Sequence, residues 1–296
     1  MFRFPSARVV FAAIHGAALT LPVAPLHAQR EQVTVRAEAL GATSIVVPAG
    51  TAGRPDYGQR SLQLTLAHRQ VRQQGTTMIL LGGLWRAVDA DLPQISPRAT
   101  GANPPSTLHV AHAEVMVLKT LNDRHTVIST LRPGIYGTQF RVEGAAFVDR
   151  IVSPRTTLGG GLSYASSYGK LLPIPVLHIV SRPSKRILID ALLPARGEVW
   201  WMPRKGLDLG VNAALTGAQY GLPQALQINR ADALWLANAT VGTQVRWAPN
   251  GGKWQLLLDG GTTVLRRLEY ARNGETVTDL APGNVPYLRV GAQKLF

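Results

Sequence analysis

From Leu207 to Leu215 every second side chain is apolar (Leu207, Leu209, Val211, Ala213, Leu215), while Asp208, Gly210, Asn212 and Ala214 stand between them. A repeat of two is the signature of a β-strand, whose side chains point alternately to opposite faces. Aspartate and asparagine in mid-strand are costly in an apolar core and sit well toward water, so this strand has one apolar face and one wet face. The same alternation recurs at Val33–Ala39, Leu62–Leu66, Ala111–Val117, Val142–Val148, Ala239–Trp247 and Tyr287–Gln293. No apolar stripe of helical period interrupts it. Turn signals separate the stretches, notably Asn122-Asp123, Pro249-Asn250-Gly251-Gly252 and Arg272-Asn273-Gly274-Glu275. The expectation is an all-β chain folded as a transmembrane antiparallel up-and-down barrel. It should have about 12 strands, with 10–14 defensible, each about nine to eleven residues long, enough to cross a hydrocarbon layer when tilted.

Residues 1–28 read as a signal peptide. Arg3 and Arg8 form a basic start, Val9–Leu21 is an apolar run too short to span a bilayer as a helix, and Pro22–Ala28 is an exit zone of mostly small residues. The remainder, 29–296, is expected to be one barrel. Val47–Arg60 reads as a loop, Gln73-Gln74-Gly75 as a hairpin turn, and the proline-rich Asp89–Ser106 as an extracellular loop. The segment Leu131–Tyr136 breaks the strand rhythm. Gly159–Gly161 marks strand curvature or close backbone approach, since no Lys-Ser/Thr pair follows to make a phosphate loop. Trp200, Trp201, Trp247, Trp254 and Tyr287 lie near strand ends, where an interfacial aromatic girdle would place them.

The formal charge is +14, and removing Arg3 and Arg8 with the leader makes it +12. Export and the scatter of Lys and Arg argue against nucleic acid and toward anionic lipid headgroups or anionic solutes. There is no cysteine, which excludes thiolate metal sites and thiol catalysis. His109 and His112 fall on opposite strand faces and cannot share a metal. His112 and Glu114 share a face, but a hydrolase would need a nucleophile from another strand. Neither an enzyme nor a cofactor is expected.

Leu131-Arg132-Pro133-Gly134-Ile135-Tyr136, Gly197-Glu198-Val199-Trp200-Trp201-Met202-Pro203 and Gly217-Ala218-Gln219-Tyr220 carry a resemblance. With Gly260-Gly261, Arg266–Tyr270 and Pro286–Gly291, they make the chain similar to a domain-of-unknown-function family of predicted bacterial outer-membrane β-barrels. The resemblance covers most of the mature chain. Its last residue, Phe296, resembles the aromatic end of the closing strand that carries the assembly signal of such barrels. The resemblance implies a cell outer-membrane location in a Gram-negative envelope, with outer-membrane lipid and the barrel-assembly machinery as partners. It carries over no substrate, cofactor or catalytic residue.

The strand parity nominates a set of lumen-facing residues: Arg36, Glu38, Arg141, Glu143, Asp208, Asn212, Asn238, Arg246, Asp259 and Arg289. In a barrel they would point inward and pair with neighbouring strands. Leu288, Val290 and Ala292 would face lipid, with Lys294 out of place on their parity. Three readings follow: a narrow porin-like channel or transporter for small, anionic solutes, a non-conducting structural or interaction barrel, and a soluble periplasmic β-barrel or sandwich that binds a ligand.

Overall fold

A computed structural model describes residues 31–44, 56–72, 77–90, 107–166, 171–222, 231–249 and 253–295. The expected leader, the Gln73–Gly75 turn, the bulk of the proline-rich loop and Phe296 lie outside them. The chain runs through β1 (Glu31–Ser44), β2 (Asp56–Arg72), β3 (Thr77–Ala90), β4 (Thr107–Asn122) and β5 (His125–Tyr136). It continues through β6 (Gln139–Ser153), β7 (Thr156–Ala165), β8 (Leu172–Ser184), β9 (Ile187–Leu193) and β10 (Arg196–Arg204). The last five are β11 (Leu207–Gly221), β12 (Ala233–Trp247), β13 (Trp254–Arg272), β14 (Glu275–Leu280) and β15 (Pro286–Leu295).

Strands β1 to β13 pair antiparallel with their sequence neighbours, and β15 pairs with β13 on one side and β1 on the other, closing a barrel of 14 strands. Closure leaves no unpaired edge, so the backbone polar groups are satisfied within the wall. The extra strand, β14, pairs with the upper part of β13 from Leu268 to Arg272, while β15 pairs with its lower part from Trp254 to Thr262. The two therefore occupy one lane, interrupted at residues 281–285, and Thr263 pins the interruption by hydrogen bonds with the Val285 backbone.

The count stands at the upper bound of the expected 10–14, and several strands run longer than expected. The supposed break at Leu131–Tyr136 is strand: Pro133 sits opposite Val142 of β6, and the β4–β5 ladder skips from Val115/Leu131 to His112/Gly134 around it. Asp56–Arg60, read as loop, already belongs to β2. Pro183 and Pro203 lie near the ends of β8 and β10, and Pro194 in the turn between β9 and β10.

Outward positions carry exposed apolar side chains all round the wall, among them Leu66, Trp85, Val115, Phe140, Val148, Leu162, Leu177, Val211, Val241, Leu258, Leu288 and Val290. Phe140 is 69% exposed. The turns fall into two groups. At the end shared by Glu31 and Leu295, the connections after β4, β6, β8 and β10 are tight. At the other end lie the longer connections 45–55, 91–106 and 223–232.

Gly159 and Gly161 point inward from β7, where an added Cβ would fall on Asp149 Oδ1 or on Ala146 O and Phe147; Gly160 points outward, with only Val176 O at 3.8 Å. Close backbone approach, one of the two readings of this run, is what the strand shows. Gly161→Ala should lower stability by about 1–3 kcal/mol through overpacking and Gly160→Ala by less than about 0.5 kcal/mol, read from urea midpoints of the refolded barrel in detergent.

Candidate functional site

Among the described residues, most of the buried polar and charged side chains converge on the inside of the barrel. Its centre is the seam. Arg289, on the closing strand β15 and only 4% exposed, donates from Nε to Glu38 Oε2 on β1 at 2.6 Å and from Nη1 to Asp259 Oδ2 on β13 at 3.1 Å. The register places Glu38 opposite Arg289 and Asp259 opposite Arg289, so one guanidinium bridges the carboxylates of both neighbouring strands. Its Cζ lies 4.6 Å from the centroid of the Tyr287 ring, and Tyr287 Oη donates to Asp259 Oδ1 at 2.9 Å. Asn212 reaches past β12 to donate to the same oxygen at 2.9 Å. Arg36 stands on the same inner face, opposite Gln63 and Gly291.

The other nominated residues spread round the wall. Arg246 donates to Asp208 Oδ2 at 2.8 Å, with its guanidinium 4.2 Å over the Trp200 ring. Asn238 donates across the barrel to Gln59 Oε1 of β2 at 3.2 Å. Arg141 and Glu143, neighbours on β6, do not pair with each other. Arg141 donates to Gln219 O of β11 at 2.9 Å and to Gln139, whereas Glu143 accepts from the Ser166 amide at 2.9 Å and from its hydroxyl. Gln293 lies on the Arg289 parity, and Leu288 and Val290 are exposed on the opposite one. Lys294 sits with Nζ 5.2 Å over the Trp254 ring, which gives this outward cation an amphipathic partner at the strand end.

Two of the expected girdle aromatics are interior. Trp200 is buried and donates to Glu198 Oε2 at 2.9 Å, and Tyr287 is buried against Asp259. Trp201, Trp247 and Trp254 are the exposed ones. Their parity separates the two groups: Trp200 alternates with Glu198, and Tyr287 with Arg289. The His112–Glu114 pair does not form an acid–base couple, because Glu114 accepts from Arg132 at 3.2 Å while His112 stacks on Tyr136.

Sequence reasoning passed over further inward groups on the same parity. Asp190 accepts from Arg196 at 3.2 Å, Asp149 contacts the buried His178 at 2.9 Å, Arg86 donates to Ser61, and Arg266 lies over Tyr57. The described interior thus holds Arg36, Arg86, Arg132, Arg141, Arg196, Arg246, Arg266 and Arg289 against Glu38, Glu114, Glu143, Asp149, Asp190, Glu198, Asp208 and Asp259. That is eight of each among these described residues.

Apolar clusters flank this polar lining. Near the tight turns, Met116, Leu118, Ile128, Phe147 and Val176 pack with Met78, Leu80 and Leu192. At the opposite end Tyr57, Tyr136, Tyr220, Tyr270, Leu108, Leu234, Leu268 and Leu280 belong to one cluster drawn from several walls. There the β5–β6 turn crosses to the far wall: Gly137, at φ 62, bridges Gly221 of β11, and the Thr138 amide donates to Gly221 O at 3.2 Å. The barrel is pinched at this end.

No protein-family model matches the chain, and no curated protein matches it. Among solved structures it is similar to an outer-membrane channel from Pseudomonas putida F1, at 10% identity over 91% of this chain and 97% of that one, with a TM-score of 0.48. It is also similar to the Pseudomonas putida toluene transporter TodX, at 9% identity over 91% and 90% of the two chains, TM-score 0.48. The NanC porin matches at 10% identity over 88% and 98%, TM-score 0.38. At these scores the likeness adds nothing to the fold already read from the strand register.

Arg289→Met leaves two buried carboxylates uncompensated and should cost about 3–5 kcal/mol. Combining it with Glu38→Gln and Asp259→Asn should restore a large part of that loss. Urea unfolding of the three-residue variant beside the single one measures the difference.

Proposed function

We propose that this protein is an outer-membrane β-barrel that serves as a narrow, porin-like channel or transporter for small polar solutes and rests in a closed form. Support for the membrane comes from the wall: closed, edgeless, and apolar on the outward parity of its strands. A soluble periplasmic binder would have no use for such an outer face, which in water invites association.

The observation that carries the channel reading is the polar lining. Charges in a confined interior are expensive, and replacing a buried ion pair by packed apolar groups is often neutral or stabilising. The same barrel fills its two ends with apolar side chains, so an apolar interior was within reach of its sequence. Arginines and carboxylates kept between those ends suit the passage of water and polar solutes. Because they balance, the expected discrimination between anions and cations is weak, in contrast to the anion preference suggested by net charge alone.

The tyrosine-rich cluster and the Gly137–Gly221 bridge favour a second reading, a barrel that conducts nothing and acts through its loops. Planar-bilayer recording separates the two. Tyr220→Ala with Leu234→Ala, which thins the pinch, should raise open probability at least tenfold over the unmodified protein. If neither protein passes current while unboiled samples still migrate as folded barrels on gels, the channel reading fails and the non-conducting one stands. A band that fractionates without detergent and does not shift on boiling would sink both.

A further inference from the structure

The interior charges named above balance, and among the described residues a group of unpaired cations gathers at one rim. Four tight turns at the end shared by Glu31 and Leu295 carry Arg124, Arg155, Lys185, Arg186, Arg204 and Lys205, all exposed. Among these turns Asp123 is the one carboxylate, and none of the six cations has an acidic partner among the described residues. The described turns of the opposite end differ. The β13–β14 turn holds Arg272 and Glu275 together, and after β9 Arg196 is paired with Asp190. The rim is therefore a localised positive surface and no mere reflection of composition.

Its depth is set by a second observation. Trp201 beside the β10–β11 turn, and Trp247 and Trp254 on either side of the β12–β13 connection at the same end, are about half exposed on the outward parity, at 50, 48 and 51%. Exposed tryptophan on a barrel wall settles at the boundary between hydrocarbon and headgroups. Arg204 and Lys205 follow Trp201 by three and four residues, and Lys253 precedes Trp254, whose ring carries Lys294. The cations thus lie just beyond the aromatic level, where phosphate groups of lipids stand, and long basic side chains reach that layer readily.

Resting on the membrane-spanning reading above, we infer that the tight-turn rim is a docking surface for anionic phospholipid headgroups of the leaflet it emerges from. The chemistry is the recognition of a lipid phosphate carrying net negative charge by unpaired arginine and lysine. Each such cation near an anionic surface contributes about fivefold in association, in a salt-dependent manner.

The test uses the full chain reconstituted in phosphatidylcholine bilayers, with tryptophan quenching by brominated phosphatidylglycerol compared with brominated phosphatidylcholine. The protein should prefer phosphatidylglycerol by about fivefold or more at low salt, and 0.5 M salt should reduce that preference toward unity. Changing the six turn cations to glutamine should abolish it. The turns are exposed, and the salt titration on the unmodified protein provides a reading even where that variant fails to insert. Equal quenching by the two lipids, or a preference untouched by both salt and substitution, overturns the inference. Equal quenching with retention on isolated peptidoglycan overturns it in favour of a cell-wall partner. Absence of quenching by either lipid overturns the membrane reading along with it.

Discussion

The barrel depends on how its last strand meets its first. Backbone ladders would close β15 between β1 and β13 in several registers that differ by two residues, since a shift of two keeps apolar side chains outside. Arg289 selects one. Its guanidinium satisfies Glu38 and Asp259 together only when all three stand level, and a slip would leave two carboxylates buried without a partner. Tyr287 and Asn212 both donate to Asp259, tying the seam also to β11, two strands beyond β13. The ionic clamp thus acts as a device of specificity more than of net stability.

Around that clamp the chain sorts its side chains by solvent. Apolar groups face outward on one parity, balanced ion pairs line the inside on the other, and unpaired cations gather where the wall ends in tight turns. Each destination follows from the same preference: charge is held either against an opposite charge or where headgroups and water reach it. The two apolar clusters inside the barrel are the exceptions, and they occupy the places where opposite walls come close enough to exclude water.

Much of the wall was legible in the sequence because parity is a local property. The strand from Leu207, legible to Leu215 and running on to Gly221, the turn at Asn273-Gly274 with both residues at positive φ, and the common parity of Asp208 and Asn212 can be read from a few neighbouring residues. Pro133 misled because a proline in a strand looks like a break until its neighbour on β6 is known. Trp200 and Tyr287 look like girdle residues by type, whereas parity sets them with Glu198 and Arg289 on the inner face. The pinch between Gly137 and Gly221, and the contact from Gln59 to Asn238, were out of reach. They join residues 84 and 179 positions apart through the curvature of the whole sheet, and no local pattern encodes curvature.

The shared lane of β14 and β15 has a mechanical consequence. Strands β11 and β12 are joined along fifteen paired positions, but β15 meets each of its neighbours along only nine, because the upper half of the lane is given to a hairpin that travels with β13. Pulled laterally, the β13–β14 hairpin would travel with β13 on one side and β1 with β2 on the other, leaving β15 held by nine pairings to each. The two lines of backbone pairing that seat the closing strand are also the ones the buried Arg289 spans, so charge reinforces the wall where its lane is interrupted.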